Sequence, residues 1–314
     1  MMAAFYTFED LSGGQTSSSS DNPYDGLLEA CGHDPKQIQA RYELHRTNRN
    51  AQQGAKLLAP EFPGVTVDEI LAKLENPSIE PGFTDWRHCL VSWARPPQHV
   101  RSLIAGIQQR LLTVAPNTWT MPQPNLHMTA LEITHSLGAN EIDDLVEQML
   151  PSVPAFTDYT FEHRARLVKP MLSFDAQALA LSFLPAAGEF GRDARADAYT
   201  YHHLRRDLYA KASATGVKVA SRYVIPSAHL TIARFVTKSD FEAADGKVDH
   251  AKVQELLGVI ESINSWLHAE YWPSEDGSDD AFAWIVGEEK GLDYRKGALW
   301  YGGGGETVHL GRGF

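Results

Sequence analysis

Cysteine is scarce in this sequence, and long apolar runs are missing. The 314 residues include only two cysteines, Cys31 and Cys89, with no CxxC and no zinc-type spacing. This argues against a disulfide framework and is typical of an intracellular protein with reduced thiols. No apolar run approaches the ~18 residues of a membrane-spanning helix, and the opening MMAAFYTFED lacks the basic start and apolar core of a secretion signal. We therefore expect no membrane partner and a cytoplasmic location, with a nuclear one left open.

Positive charge is also in short supply. Lys and Arg number 28 against 40 Asp and Glu, for a formal net charge of −12. This excludes a protein that coats nucleic acid with a generally basic surface. The charge is uneven, however, because residues 1–85 carry −7, residues 86–236 carry +3 and residues 237–314 carry −8. The central segment is therefore where a small anionic substrate should bind.

Turn-forming residues and periodicity divide the chain into three parts. Because of a Gly/Ser-rich stretch, residues 1–23 are predicted to be a disordered N-terminus. Helical patterns predict a helical N-terminal extension over residues 24–85, with Thr66 as the N-cap of its last helix. Residues 86–314 are predicted to form the main domain, which contains an acidic helical insertion at about 237–281.

Strand-like and helical segments alternate within the main domain. Over residues 86–236 they follow the order β-α-β-α-β-β-α-β, and two closing strands are predicted at 282–286 and 298–301. This order does not have the regular βαβ period of a parallel sheet. It favours the α+β class with antiparallel sheets.

One internal repeat stands out. His127-Met128-Thr129 and His229-Leu230-Thr231 both fit the pattern His-x-Thr, and each lies in a predicted strand. Side chains at positions i and i+2 of a strand share a face, so each histidine projects with its threonine. If the two halves pair about a pseudo-twofold axis, two imidazoles and two hydroxyls meet in one cleft. One copy alone is more often a half-buried histidine in a strand, whereas two copies in matching contexts favour a functional site.

Such a cleft suits phosphate chemistry. Two histidines can divide general-base and general-acid work near neutral pH, because an unperturbed imidazole has a pKa of about 6.5. Two hydroxyls can donate hydrogen bonds to the non-bridging oxygens of a phosphate. This arrangement requires no metal ion.

The paired motifs resemble those of the 2H phosphoesterases, which are named for two His-x-Thr motifs and include RNA 2′,3′-cyclic phosphodiesterases, once called 2′-5′ RNA ligases. The resemblance is to a fungal-type member and covers about residues 86–236 plus the closing strands near 282–301. It implies two pseudo-symmetric lobes of antiparallel sheet, with outer helices, around a central cleft. Members often have proline immediately before the second histidine, where this sequence has Ala228.

The resemblance implies a metal-independent cyclic phosphodiesterase with no cofactor. It would hydrolyse the 2′,3′-cyclic phosphate of a small nucleotide or an RNA terminus, and we expect a monomer. By analogy with members that leave a 2′-phosphate, His127 would be the catalytic acid and His229 the catalytic base, although pseudo-symmetry allows the reverse. Thr129 and Thr231 would bind the phosphate. Two alternatives stay open: RNA 3′-end trimming, and a non-catalytic nucleotide- or phosphate-binding module on the same fold.

Other side chains are weaker candidates. Trp119, Arg222 and Tyr223 are candidates for contacting a base or phosphate, with packing or capping as the structural alternative for each. Strand alternation predicts that Glu132 points away from the side shared by the first motif. It predicts the same for Arg234 and the second motif, and it favours a structural ion pair for Arg234.

Overall fold

The computed structural model describes residues 9–13, 20–189, 194–221, 223–273 and 282–314. The helices are α1 (Asp25–Ala30), α2 (Pro35–Leu58), α3 (Glu69–Glu75), α4 (Gln98–Leu112), α5 (Ala139–Met149), α6 (Val153–Thr157), α7 (Tyr201–Ser213) and α8 (His250–Tyr271). The strands are β1 (His88–Ala94), β2 (Trp119–Thr120), β3 (Met128–Leu137), β4 (Arg166–Phe174), β5 (Ala178–Pro185), β6 (Ala228–Arg234), β7 (Trp284–Ile285), β8 (Lys290–Gly297) and β9 (Gly305–Arg312).

The strands form two antiparallel sheets. The first has the order β3-β1-β8-β9 and the second the order β2-β6-β5-β4-β7. Helices surround both sheets, so the predicted α+β class with two lobes of antiparallel sheet is confirmed. Strand β3 begins at the middle residue of the first His-x-Thr motif, and β6 contains the whole second motif. The two strands contact each other where the sheets meet. The fold therefore brings the repeated segments together across the lobe boundary.

Of the two predicted closing strands, the first is present as β7 within residues 282–286, and the second is not. Residues 298–301 form the turn between β8 and β9 instead of a strand. Gly297 and Gly302, which flank this turn, have φ of +121° and +76°. These left-handed values suit glycine and interrupt the extended backbone, so the chain reverses here.

Helix α2 packs on β4 and β5 of the second sheet, and α1 contacts α7. Helix α2 begins where predicted, because the Asp34 side chain accepts a hydrogen bond from the Lys36 amide and Pro35 occupies the first helical position. Helix α3 is capped by Asp68, whose carboxylate accepts from the Leu71 amide at 3.2 Å, and not by Thr66. The Thr66 amide instead donates to the carbonyl of Ala176, in the turn between β4 and β5.

Part of the predicted disordered N-terminus lies against α2. The Leu11 amide donates to His45 Nδ1 at 3.0 Å, and Arg41 Nη1 donates to the Ser12 carbonyl at 2.9 Å. Residues 1–8 and 14–19 of that predicted stretch lie outside the described residues. No helix in the described ranges is long and apolar enough to cross a membrane.

A buried histidine joins the N-terminal helices to α7. His202 is 1% exposed, and its Nδ1 accepts a hydrogen bond from the Tyr42 hydroxyl at 2.9 Å. Its Nε2 donates to the Tyr24 carbonyl at 3.0 Å. Burial, reinforced by the charge of Arg205, lowers the pKa of His202 to about 3. The side chain is therefore a neutral cross-link between α1, α2 and α7 at neutral pH.

Candidate active site

A cavity of about 110 Å³ lies where β3 and β6 meet. His127 and Thr129 line it from the first sheet, and His229 and Thr231 line it from the second. The structure thus brings together the four side chains of the two motifs. The remaining lining residues are Cys89, Val91, Trp93, Glu132, Arg205, Tyr223, Ser227, Arg234, Leu299 and Trp300.

Strand alternation explains how both motifs reach the cavity. In the first motif, Met128 and its neighbour Ala130 are buried in the main core, and the half-buried Thr129 lies between them. In the second, Ala228 and Leu230 are buried in the same way on either side of His229. Each strand thus packs its apolar side chains on the core and turns its histidine and threonine towards the cavity.

His127 is held by its ring nitrogen and by its face. Nδ1 donates to the Asn125 carbonyl at 2.7 Å, so the lone pair of the neutral ring is on Nε2. The indole of Trp93 stacks on the imidazole, with 3.8 Å between centroids and 18° between planes. Burial lowers the pKa of His127 to about 3; the Asn125 hydrogen bond opposes this shift, and the nearby charges of Arg95 and Arg295 add to it.

His229 has a related but different partner. Its Nδ1 lies 2.9 Å from the hydroxyl of Ser227, which can donate or accept, and the Tyr223 ring centroid is 5.9 Å away. Burial lowers the pKa of His229 to about 4, reinforced by the charges of Arg49 and Arg205. Both motif histidines are therefore oriented by the residue two positions earlier in the sequence.

The low pKa values define the resting state of the cavity. At neutral pH both His127 and His229 are neutral, so either can accept a proton through a free ring nitrogen. An anion bound in the cavity would oppose the nearby arginine charges and raise the pKa of the histidines. Binding of a phosphate can thus create the protonated partner that an acid–base pair needs.

A β-bulge follows the first motif and changes which side chains face the cavity. Ser92 of β1 pairs with Leu131 of β3, whereas the next residue, Trp93, pairs with Thr129. Strand β3 therefore has one extra residue after Thr129, which reverses the alternation beyond it. As a result Glu132 lines the cavity, and the prediction that it faces away was wrong.

The second motif has a bulge at the matching position. Leu179 of β5 pairs with Ala233, and the next residue, Ala180, pairs with Thr231. The extra residue in β6 places Arg234 on the cavity side. The prediction that Arg234 faces away from the second motif was wrong for the same reason. A single inserted residue moves every side chain that follows it to the opposite face of the strand.

The ion pair predicted for Arg234 is present. Its Nη1 donates to Asp68 Oδ2 at 3.1 Å, and the Tyr301 hydroxyl donates to Asp68 Oδ1 at 2.6 Å. Asp68 is also the N-cap of α3. A carboxylate from the helical segment before residue 85 therefore compensates the charge of an arginine in the cavity.

Replacing Asp68 with asparagine separates its two roles, because asparagine caps helices about as well as aspartate. We expect Asp68→Asn to lower the free energy of unfolding by about 2 kcal/mol, through loss of the charged hydrogen bond to Arg234. Urea unfolding measures this change. Asp249→Asn is the matched control, since Asp249 caps α8 with an exposed hydrogen bond to Ala251. Equal losses in the two variants would contradict the importance of the ion pair.

The three candidates for contacting a base or phosphate do not all line the cavity. Tyr223 lines the cavity. Trp119 lies in β2 outside the lining, with its ring edge-on to Tyr301 at 6.4 Å between centroids. Arg222 lies outside the described residues. Within the described ranges no group of three or more His, Cys, Asp or Glu side chains is arranged to hold a metal ion.

Several lining residues were not identified as site residues from the sequence, among them Trp93, Arg205 and Ser227. Trp93 and Arg205 lie far from the motifs in sequence, and only tertiary packing brings them to the cavity. Ser227 could have been identified from the sequence, because it lies two residues before His229, just as Asn125 lies two residues before His127.

Comparison with known proteins adds little at this level of similarity. No protein-family model matches the sequence, and no curated protein matches it. The crystal structure of TT0787 of Thermus thermophilus aligns with 71% of this chain and 97% of that one, at 15% identity and a TM-score of 0.41. A likeness of that size does not establish a shared function.

Proposed function

We propose that this protein is a metal-independent phosphoric diester hydrolase that opens the 2′,3′-cyclic phosphate of a nucleotide or RNA end, like the 2H phosphoesterases its motifs resemble. One observation carries the proposal. The two His-x-Thr motifs come from different sheets, yet all four side chains line the same cavity. Two unrelated histidines in separate strands would have no reason to line one cavity together with their threonines.

The reaction needs one proton acceptor and one proton donor. One histidine takes a proton from a water molecule as its oxygen attacks phosphorus. The bond between phosphorus and one ribose oxygen breaks, and the other histidine gives its proton to that oxygen. The product is a phosphate monoester, and the pair ends with its protonation states exchanged. Following the resemblance, His127 is the acid and His229 the base.

Thr129 and Thr231 serve the phosphate. Their hydroxyls line the cavity beside the histidines and can donate hydrogen bonds to non-bridging oxygens. The charge on these oxygens grows in the transition state, so donors fixed in place by a strand stabilise it more than the ground state.

The size of the cavity fits the reacting end of a nucleotide. Its volume of about 110 Å³ is below the ~300–1,000 Å³ typical of pockets for drug-sized ligands. We therefore place the phosphate ring of the substrate inside and the rest of the nucleotide at the mouth. The acidic flanks of the sequence favour a small substrate over a long polyanion.

A panel assay tests the proposal. The purified protein is incubated, with EDTA present, with the four nucleoside 2′,3′-cyclic phosphates, 2′-5′ and 3′-5′ dinucleotides, and short RNAs ending in a cyclic phosphate or a 3′-hydroxyl. We expect ring opening of the cyclic phosphates to monoesters and no cleavage of the linear dinucleotides. Stepwise shortening of the RNAs would instead show the 3′-end trimming activity. Binding without turnover of any substrate would show a nucleotide-binding module, and either result would overturn the proposal.

A further inference from the structure

Arg205 is a buried cation in the wall of the cavity. It projects from α7, is 1% exposed and belongs to the cavity lining. Its guanidinium donates to three oxygens: the Ile225 carbonyl at 2.9 Å, the Tyr24 hydroxyl at 3.1 Å and the Ala130 carbonyl at 3.4 Å. All three acceptors are neutral, so these contacts orient the side chain without compensating its charge.

Within the described ranges, no carboxylate lies within 4 Å of the Arg205 guanidinium; the ion pairs that do occur are made by other side chains. The faces of Tyr24 and Tyr201 lie at 4.7 and 5.8 Å and give only partial compensation. Buried charges in proteins are normally paired, because desolvation of a single ion is costly. A buried arginine without a carboxylate therefore indicates a site that is completed by an anion.

Arg205 differs in this respect from the other arginine of the cavity. The charge of Arg234 is compensated by Asp68 at 3.1 Å. Glu132 adds a carboxylate to the lining, but no ion pair joins it to Arg205. Among the described cavity residues, Arg205 is thus the arginine whose charge is available to a ligand.

The position of Arg205 relative to the motifs supports the same role. Ala130 is the residue after Thr129, and Ile225 precedes His229 by four residues. The guanidinium therefore touches the backbone of both histidine-bearing segments, across the boundary between the sheets. Its charge also contributes to the lowered pKa of His229, which reflects their proximity.

We propose that Arg205 binds the anionic phosphoryl group of the substrate between the two histidines. The anion supplies the counter-charge that the buried guanidinium needs. The guanidinium in turn neutralises charge that builds up on the phosphoryl oxygens as water attacks. The identification of the anion as a cyclic phosphodiester rests on the proposed function, whereas anion binding by Arg205 does not.

Binding of inorganic phosphate tests the proposal without any need for turnover. Its dissociation constant is measured by calorimetry for the wild-type protein, Arg205→Gln and Arg205→Lys. We expect phosphate to bind about tenfold or more weakly to Arg205→Gln. Arg205→Lys should lie in between, because it keeps the charge and loses the planar fork. Absence of phosphate binding by the wild type, or equal affinity in Arg205→Gln, would overturn the proposal.

Arg46→Gln is the matched control for lost stability. Arg46 is also buried, at 5% exposed, and donates to the Lys169 carbonyl at 2.7 Å, but it does not line the cavity. We expect Arg46→Gln to destabilise the fold while keeping wild-type affinity for phosphate. A loss of affinity equal to that of Arg205→Gln would show that both act through folding and would overturn the proposal.

Turnover of 2′,3′-cyclic AMP separates this proposal from the proposed function. If the wild type is inactive but binds phosphate through Arg205, the role of Arg205 stands and the hydrolase assignment fails. If the wild type is active and Arg205→Gln has the same kcat and KM, the hydrolase assignment stands and the role of Arg205 fails. If both are correct, Arg205→Gln raises KM and lowers kcat.

Discussion

Replacing His127 or His229 with alanine is expected to lower kcat for hydrolysis of a 2′,3′-cyclic nucleotide by about 10²–10⁴-fold. Each variant loses one of the two proton-transfer groups, and no other histidine of the described ranges lines the cavity. The fold should survive, because both side chains are half-buried at the cavity and not in the main core. Steady-state kinetics of each variant measure the loss of kcat, and urea unfolding checks that the fold is retained.

The double variant, His127→Ala with His229→Ala, tests whether the two histidines act as one unit. Groups that act as one acid–base unit are not additive, so the two replacements together should cost about as much as one. His250→Ala is the control, since His250 is an exposed residue at the start of α8, and it should retain full activity. Losses that multiply in the double variant would contradict a shared proton-transfer step.

Acidification is expected to destabilise the protein, with His202 as a main contributor. Its pKa is about 3 in the folded state against about 6.5 when unfolded, so the unfolded chain binds more protons between these values. Stability is therefore complete above pH 6.5 and falls as the pH decreases towards 3. At pH 4.5 the loss from this one fully buried group is about 3 kcal/mol.

A comparison of two variants isolates this effect from the titration of carboxylates. The free energy of unfolding is measured at pH 7.5 and 4.5 for the wild type, His202→Gln and His250→Gln. The difference between the two pH values should shrink by about 3 kcal/mol in His202→Gln and stay unchanged in His250→Gln. An unchanged difference in His202→Gln would contradict a neutral, buried His202.

The fold class and the meeting of the two motifs were predictable from local patterns. Alternation in a strand is a short-range property, so Thr129 shares a side with His127 whatever the rest of the fold does. Repetition of the same pattern in a second strand then predicted one cleft. The structure places both motifs on one cavity, although whether they are catalytic stays a prediction.

Features that depend on one inserted residue or on distant contacts were not predictable. The bulges after Thr129 and Thr231 turn Glu132 and Arg234 into the cavity, and no composition pattern marks them. Asp68 and not Thr66 is the helix cap because α3 begins at Glu69, two residues later than a Thr66 cap requires. Arg205 reaches the cavity only through the packing of α7 against β3.

The central claim is that the two motifs together catalyse attack of water on a cyclic phosphate. Phosphorus NMR of 2′,3′-cyclic AMP, incubated with the protein in ¹⁸O-labelled water, tests it most directly. The wild type should convert the cyclic diester to a monoester that carries one ¹⁸O on phosphorus, and the double alanine variant should not. No conversion by the wild type, or equal conversion by the variant, would contradict the claim.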